Sequence, residues 1–174
     1  TLATGAALVA LVAAFGPVSG AHLNPAVSLA EAVDGTLPWP YLRPVRRDAD
    51  RLRCSRHDHG TPDVCRTMDR RLNHHQSGGP QIFSEFVATF GLVAVIRGTV
   101  RSRPALVPFV VGAYISSAYW FTASTSFANP AVTIARTMTD TFSGIRPVDA
   151  PAFIAAQLLG ALAAVWVWRR LAGR

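Results

Sequence analysis

The sequence reads as an all-α membrane protein on three observations: charge is concentrated in one internal stretch, apolar runs of near-membrane length flank it, and a seven-residue motif occurs twice. The chain has 174 residues, half of them apolar, with a formal net charge of +7. Its mean hydropathy of +0.26 is high for a soluble domain. Residues 43–79 hold 14 of the 27 charged side chains in 37 positions, and the other 137 residues share 13. Two apolar blocks around one charged insert exclude a uniform globular domain and whole-chain disorder. They match membrane material. All 17 basic residues are Arg. An isoelectric point near 10.9 invites a nucleic-acid partner, but net charge speaks only to non-specific attraction. Half the aromatic residues lie in apolar runs away from the arginines, so stacking platforms for bases are missing and no nucleic-acid partner is expected. Two cysteines are too few for a disulfide framework.

The first apolar run, Thr1 to Pro17, carries no charge. It is a little short of the roughly 20 residues a span needs. A start at Thr inside an apolar run reads as a truncated N-terminus. Its Gly and Ala suit close helix–helix contact in lipid. A second run, Gln81 to Val100, has Glu85 near its start and Arg97 near its end; Pro104 to Ala123 forms a third. Ala150 to Trp168 forms a fourth, closed by Arg169 and Arg170, with Trp166 and Trp168 placed for an interfacial belt. A multi-pass protein of the cell membrane is expected. The Arg clusters at 43–71, 97–103 and 169–174 all favour the cytoplasmic side.

Residues 24–30 read Asn-Pro-Ala-Val-Ser-Leu-Ala and residues 129–135 read Asn-Pro-Ala-Val-Thr-Ile-Ala, five of seven identical and 105 residues apart. Such repeats in a membrane chain point to two halves that meet at a central site. Asn is a good helix N-cap and Pro is preferred at the first helical position. Each copy therefore starts a helix at Asn24 or Asn129, too short to span. Non-helical backbone at membrane depth survives only where it is buried or lines a wet cavity. Two such helices meeting tip to tip aim both electropositive ends and both asparagine amides at one point, which accepts a neutral solute and opposes a cation.

Ser19-Gly20-Ala21-His22-Leu23-Asn24-Pro25-Ala26-Val27 and Phe127-Ala128-Asn129-Pro130-Ala131-Val132 resemble the twin signature loops of the aquaporin, or major intrinsic protein, family. Ser84 to Phe90 resembles the start of that family's fourth helix, and Gln157 to Ala161 resembles its sixth. The resemblance covers residues 1–41 and 81–171. It implies a right-handed bundle of six spanning helices and two re-entrant half-helices, assembled as a homotetramer with a pore in each subunit. It also implies passage of water, glycerol or other small uncharged solutes, with no enzymatic activity, metal or cofactor.

Carried over residue by residue, the resemblance makes Asn24 and Asn129 the pore asparagines, with His22, Pro25, Ala26, Pro130 and Ala131 supporting them. It makes Thr4, Ser117, Ser126 and Val132 the selectivity filter and gives Glu85 a structural role, hydrogen-bonding the backbone of a re-entrant loop. Most members carry Arg where this chain has Val132, and water-selective members often carry His where it has Ser117. Four small uncharged residues imply a wider filter, for solutes such as polyols or undissociated metalloid acids. Arg136, one turn beyond Val132 on the same helix face, is a partial replacement for the lost charge on this reading, but lies too far along to form the constriction.

Residues 42–80 depart from the family where a third spanning helix belongs. Nine Arg and five Asp between positions 43 and 79 cannot cross a bilayer, at about 2.5–3.5 kcal/mol per central charge. The segment reads as a shifted reading frame or as a basic, disordered loop. A zinc site built from Cys54, His57, His59, Cys65, His74 and His75 is the alternative. Three parts are thus expected: a first-half remnant at 1–41, this aberrant segment at 42–80, and a second half at 81–174, with the first helix absent and the third not native. With only the two crossings of residues 81–123 between the loops, both half-helices are expected to enter from the same side. A remnant without transport activity is therefore the alternative to a working channel.

Overall fold

The structure is a computed structural model and describes residues 2–42, 78–138 and 144–173. All regular secondary structure among those residues is helical. The charged stretch from Arg43 to Ser77 lies outside them, and with it the zinc alternative and the question of a native third helix.

Among the described residues, four helices are long and apolar enough to cross a membrane. Helix α1 is Leu2–Ser19. Helix α3 is Gly79–Ser102. Pro104–Leu106 forms a 3-10 turn that leads into α4, Val107–Phe121. Helix α6 is Ala150–Leu171. Two short helices follow the repeated motif: α2, Pro25–Asp34, and α5, Pro130–Arg136. Pro at the first position of each sets φ for the helix and sacrifices only an amide without a helical partner. Gly35 ends α2 in the left-handed conformation, its N–H closing on Ala32 and Glu31 carbonyls.

Helix α6 is the pillar. Its buried stripe of Phe153, Ala156, Gln157, Gly160, Ala161, Ala164 and Val165 repeats at helical spacing. Gly160 lets α3 come close, because a Cβ there would collide with the Phe86 carbonyl and the Phe90 amide. Gly5 and Gly112 do the same between α1 and α4, each leaving room for the other's backbone. Close backbone approach through small residues is how helices associate in lipid, where apolar burial alone gives no preference. Helix α1 otherwise shows its apolar surface outward, with Leu2, Leu11, Phe15 and Val18 exposed.

The two short helices run in opposite directions along α6. Ala26 and Ala30 of α2 pack on Ala161, Ala164 and Val165, and Asp34 at its end meets Arg169. Thr133 of α5 instead meets Gln157. Gln157 and Arg169 are separated by about 18 Å along the helix. The helix starts meet between them. This corrects the expectation that both half-helices enter from one side. That expectation took no crossing from residues 43–79, whereas among the described residues the end of α2 lies beside Arg97 near the far end of α3, not beside its start.

Candidate functional site

Each asparagine carries out two tasks with one side chain. Asn24 Oδ1 accepts from Ala26 N at 3.0 Å, and Asn129 Oδ1 accepts from Ala131 N at 2.9 Å and Val132 N at 3.4 Å. These are N-caps. The amide nitrogens reach across: Asn24 Nδ2 donates to Ala128 O at 2.7 Å, and Asn129 Nδ2 donates to Leu23 O at 3.1 Å. The exchange is reciprocal and joins residues more than a hundred positions apart. Each amide has two N–H donors, and the bond across the loops uses one of them.

The loop before Asn129 is conformationally costly. Thr125, Ser126 and Ala128 all have positive φ, at 61°, 48° and 47°, a region that non-Gly residues rarely adopt. Glu85 of α3 holds this loop. It is fully buried. Its Oε1 accepts from Ser124 Oγ at 2.6 Å and Phe127 N at 2.8 Å, and its Oε2 from Ala128 N at 2.8 Å and Gln157 Nε2 at 2.6 Å. Four donors on one carboxylate turn an otherwise expensive buried charge into the anchor of the loop. Gln157 passes the support on, donating to Thr133 Oγ1 at 2.9 Å. The first loop is held by a tight turn, Leu23 N to Ala21 O at 2.7 Å, and by the 3.2 Å hydrogen bond between His22 Nδ1 and Ser28 Oγ.

A cavity of about 240 Å³ runs past both asparagines. Its apolar wall comes from one face of each of three helices at four-residue spacing: Thr4, Leu8 and Val12 of α1; Leu92, Ile96 and Val100 of α3; Val107, Val111, Ile115 and Tyr119 of α4. The loops and short helices supply the rest, including His22, Asn24, Glu31, Ser126, Asn129, Val132 and Arg136. Ser126 is 2% exposed, and its Oγ has no hydrogen-bond partner among the described residues.

Of the four filter positions named from the sequence, Thr4, Ser126 and Val132 share this wall. Ser117 does not. It is exposed on another face of α4, its hydroxyl donating to Tyr114 O at 2.8 Å. The lining positions of α4 step in fours from Val107 to Tyr119, which leaves Ser117 about 200° around the helix from Tyr119. Tyr119, which sequence reasoning did not single out, has the position on the wall, and the same four-residue step was the available signal. Arg136 also lines the cavity with Val132. Its guanidinium donates to Tyr119 OH at 3.0 Å and to Thr125 Oγ1 at 3.4 Å, and lies 4.2 Å above the centre of the Phe127 ring.

Asp34 ties the far end of α2 to the bundle. It accepts from Arg97 Nη1 at 2.6 Å and Arg169 Nε at 3.0 Å, while the same arginines donate to Ala30 O and Val33 O. Those carbonyls lie in the last turns of the short helix, where cations are favoured. Burial pushes the Asp34 carboxyl up, but the hydrogen bonds and charges of the two arginines outweigh it and hold its pKa below the usual value. Among the described residues, no three His, Cys, Asp or Glu side chains come together as a metal site.

The profile of the Major intrinsic protein family matches residues 1–41. The chain is 48% identical over 98% of its length to Aquaglyceroporin AqpS of Rhizobium meliloti (strain 1021), covering 73% of that protein. It belongs to the major intrinsic protein family. As a member it is a multi-pass membrane channel for water and small solutes, not an enzyme. Plant members of the family also match. Aquaporin NIP1-3 of Oryza sativa subsp. japonica is 30% identical over 94% of this chain and 58% of its own. Aquaporin NIP1-4 of the same plant is 63% identical over a stretch of 38 residues, which is 22% of this chain and 14% of its own.

Proposed function

We propose that the cavity is a passive pore for small uncharged solutes larger than water, such as polyols or undissociated metalloid acids, gated by the two Asn-Pro-Ala motifs. The single observation that carries this reading is the reciprocal pair of bonds between Asn24 and Ala128 and between Asn129 and Leu23. It leaves one amide donor on each asparagine for a solute hydroxyl or carbonyl. A hydrogen-bonding neutral solute exchanges water for those donors at little cost. A cation meets donors where it needs acceptors.

Thr4, Ser126 and Val132 support the choice of solute. All three are small and uncharged, which supports room for a solute larger than water at these positions of the wall, beside Tyr119 and Arg136. The relative named an aquaglyceroporin agrees with a solute larger than water. Vesicles containing the purified protein are expected to take up glycerol faster than protein-free vesicles. A pore that passes water and excludes glycerol would contradict the wide filter. Assembly as a homotetramer belongs to the same reading: α1 exposes most of its apolar surface, and Trp120 of α4 is 82% exposed, which leaves surface for lipid and neighbouring copies.

A further inference from the structure

The face of α2 that carries Asn24 continues along the cavity. Asn24, Val27 and Glu31 stand three and four residues apart, the spacing of one helix face, and all three line the cavity of about 240 Å³. Asp34, three residues further on, lines a second cavity of about 470 Å³ with Arg97, Arg101 and Arg169. Glu31, Ile96 and Val100 line both cavities, so Glu31 is the polar side chain of the three where the two meet. It stands about 10 Å along the helix from Asn24. Among the described residues lining the first cavity it is the only acidic one. Its backbone is pinned: the Glu31 carbonyl accepts from Thr36 N at 3.0 Å, Leu37 N at 3.2 Å and Thr36 Oγ1 at 2.9 Å. Its carboxylate is not. Among the described residues the closest ion-pair contact of that carboxylate is His22 Nδ1 at 3.9 Å, beyond hydrogen-bond distance. His22 Nδ1 is instead 3.2 Å from Ser28 Oγ. Arg97, whose charge also reaches Glu31, donates to Asp34 and to Ala30 O.

We propose that Glu31 is a specificity-determining residue of this pore, an acceptor for the hydroxyl groups of a polyhydroxyl solute where the passage meets the second cavity. This rests on the pore reading above and deepens it. The two asparagines offer such a solute N–H donors, because each Oδ1 is spent on its helix cap. Those donors bond the solute's oxygens and leave its O–H groups unanswered. Val27, Ile96 and Val100, which lie between Asn24 and the junction or at it, have no side-chain acceptor to offer. The Glu31 carboxylate presents two oxygens with about four acceptor positions. A vicinal diol donates to both oxygens from one molecule, whereas two waters must each be ordered separately. The carboxylate therefore favours a solute with adjacent hydroxyls over water. A hydrogen bond to a charged acceptor changes occupancy roughly tenfold to a hundredfold.

The test uses the full chain reconstituted in lipid vesicles, with glycerol and water flux measured side by side at glycerol concentrations below saturation. Glu31→Leu removes both acceptor oxygens and is expected to lower the glycerol-to-water flux ratio at least about tenfold. Glu31→Gln keeps one neutral acceptor oxygen, worth about half as much, and is expected to lower the ratio by only about threefold. A side chain that merely packed the end of α2 would change both fluxes together and leave the ratio where it was. An unchanged or raised ratio with Leu, or a fall with Gln as deep as with Leu, overturns the proposal. Should Glu31→Leu fail to insert, Glu31→Gln decides, and an unchanged ratio there overturns it. Wild-type vesicles that pass no glycerol above the protein-free level overturn the solute reading of the pore and this inference with it. Wild-type glycerol flux with an unaltered ratio in the variants overturns the inference alone.

Discussion

Glu85 illustrates how one buried charge can set a loop. Its carboxylate is worth its burial only because Ser124, two backbone amides and Gln157 all donate to it. Removing it strands those donors away from water, and an unsatisfied buried donor costs about 1–3 kcal/mol. Glu85→Ala is therefore expected to destabilise the protein by at least about 3 kcal/mol, read as a lowered midpoint of thermal unfolding in detergent, and to abolish glycerol uptake. Asn129→Ala loses both the cap and the bond across to Leu23; the cap alone is worth about 1 kcal/mol. Its expected signature is a modest loss of stability with a large loss of flux. Ser117 provides the opposite case. It faces away from the cavity, so Ser117→Trp is expected to leave glycerol uptake close to wild type while Val132→Trp blocks it. Blockage by both would restore Ser117 to the filter.

Among the helices, α2 depends most on charge. Its last turn is fastened by Asp34 to Arg97 of α3 and Arg169 of α6. Breaking a largely buried pair by removing one partner costs about 3–5 kcal/mol. Asp34→Asn should approach the lower end of that range, because the amide oxygen still accepts from one arginine. The native pKa of Asp34 lies below its unfolded value, so its contribution is complete above about pH 4 and is lost as pH falls toward the lowered native value. Thermal stability of the wild type should decline on acidification below that point, and Asp34→Asn should show a shallower decline. The contact between α3 and α6 turns on Gly160. Gly160→Val places a branched side chain against the Phe86 carbonyl and is expected to cost about 1–3 kcal/mol or more, as at other overpacked sites, or to prevent insertion. Polypeptide yield in the membrane fraction measures this directly.

For the molecule as a whole, much was legible from residue order. The four apolar runs became α1, α3, α4 and α6 within a few residues, since length and lack of charge suffice to mark a span. The two half-helices were legible because Asn and Pro act locally, as cap and first helical residue, whatever surrounds them. What failed is equally informative. Counting crossings put the two motifs on one side, because the count depended on a stretch outside the described residues. Spacing from Asn129 put Ser117 on the pore wall, because distance along the chain does not report the rotation of a helix about its axis. Arg136 was set aside by the same linear measure, and folding brings it beside Tyr119 and Phe127.

Local chemistry along the chain was thus enough to establish an all-helical membrane protein with two capped half-helices. Folding alone settled the pairing of Asn24 with Ala128 and Asn129 with Leu23, the four bonds onto Glu85, and the exchange of Ser117 for Tyr119 on the wall. The physical reason is that caps and spans are decided within a few residues. A hydrogen bond between positions 24 and 128 depends instead on how close two backbones can approach, and here that is set by α6 and its glycine.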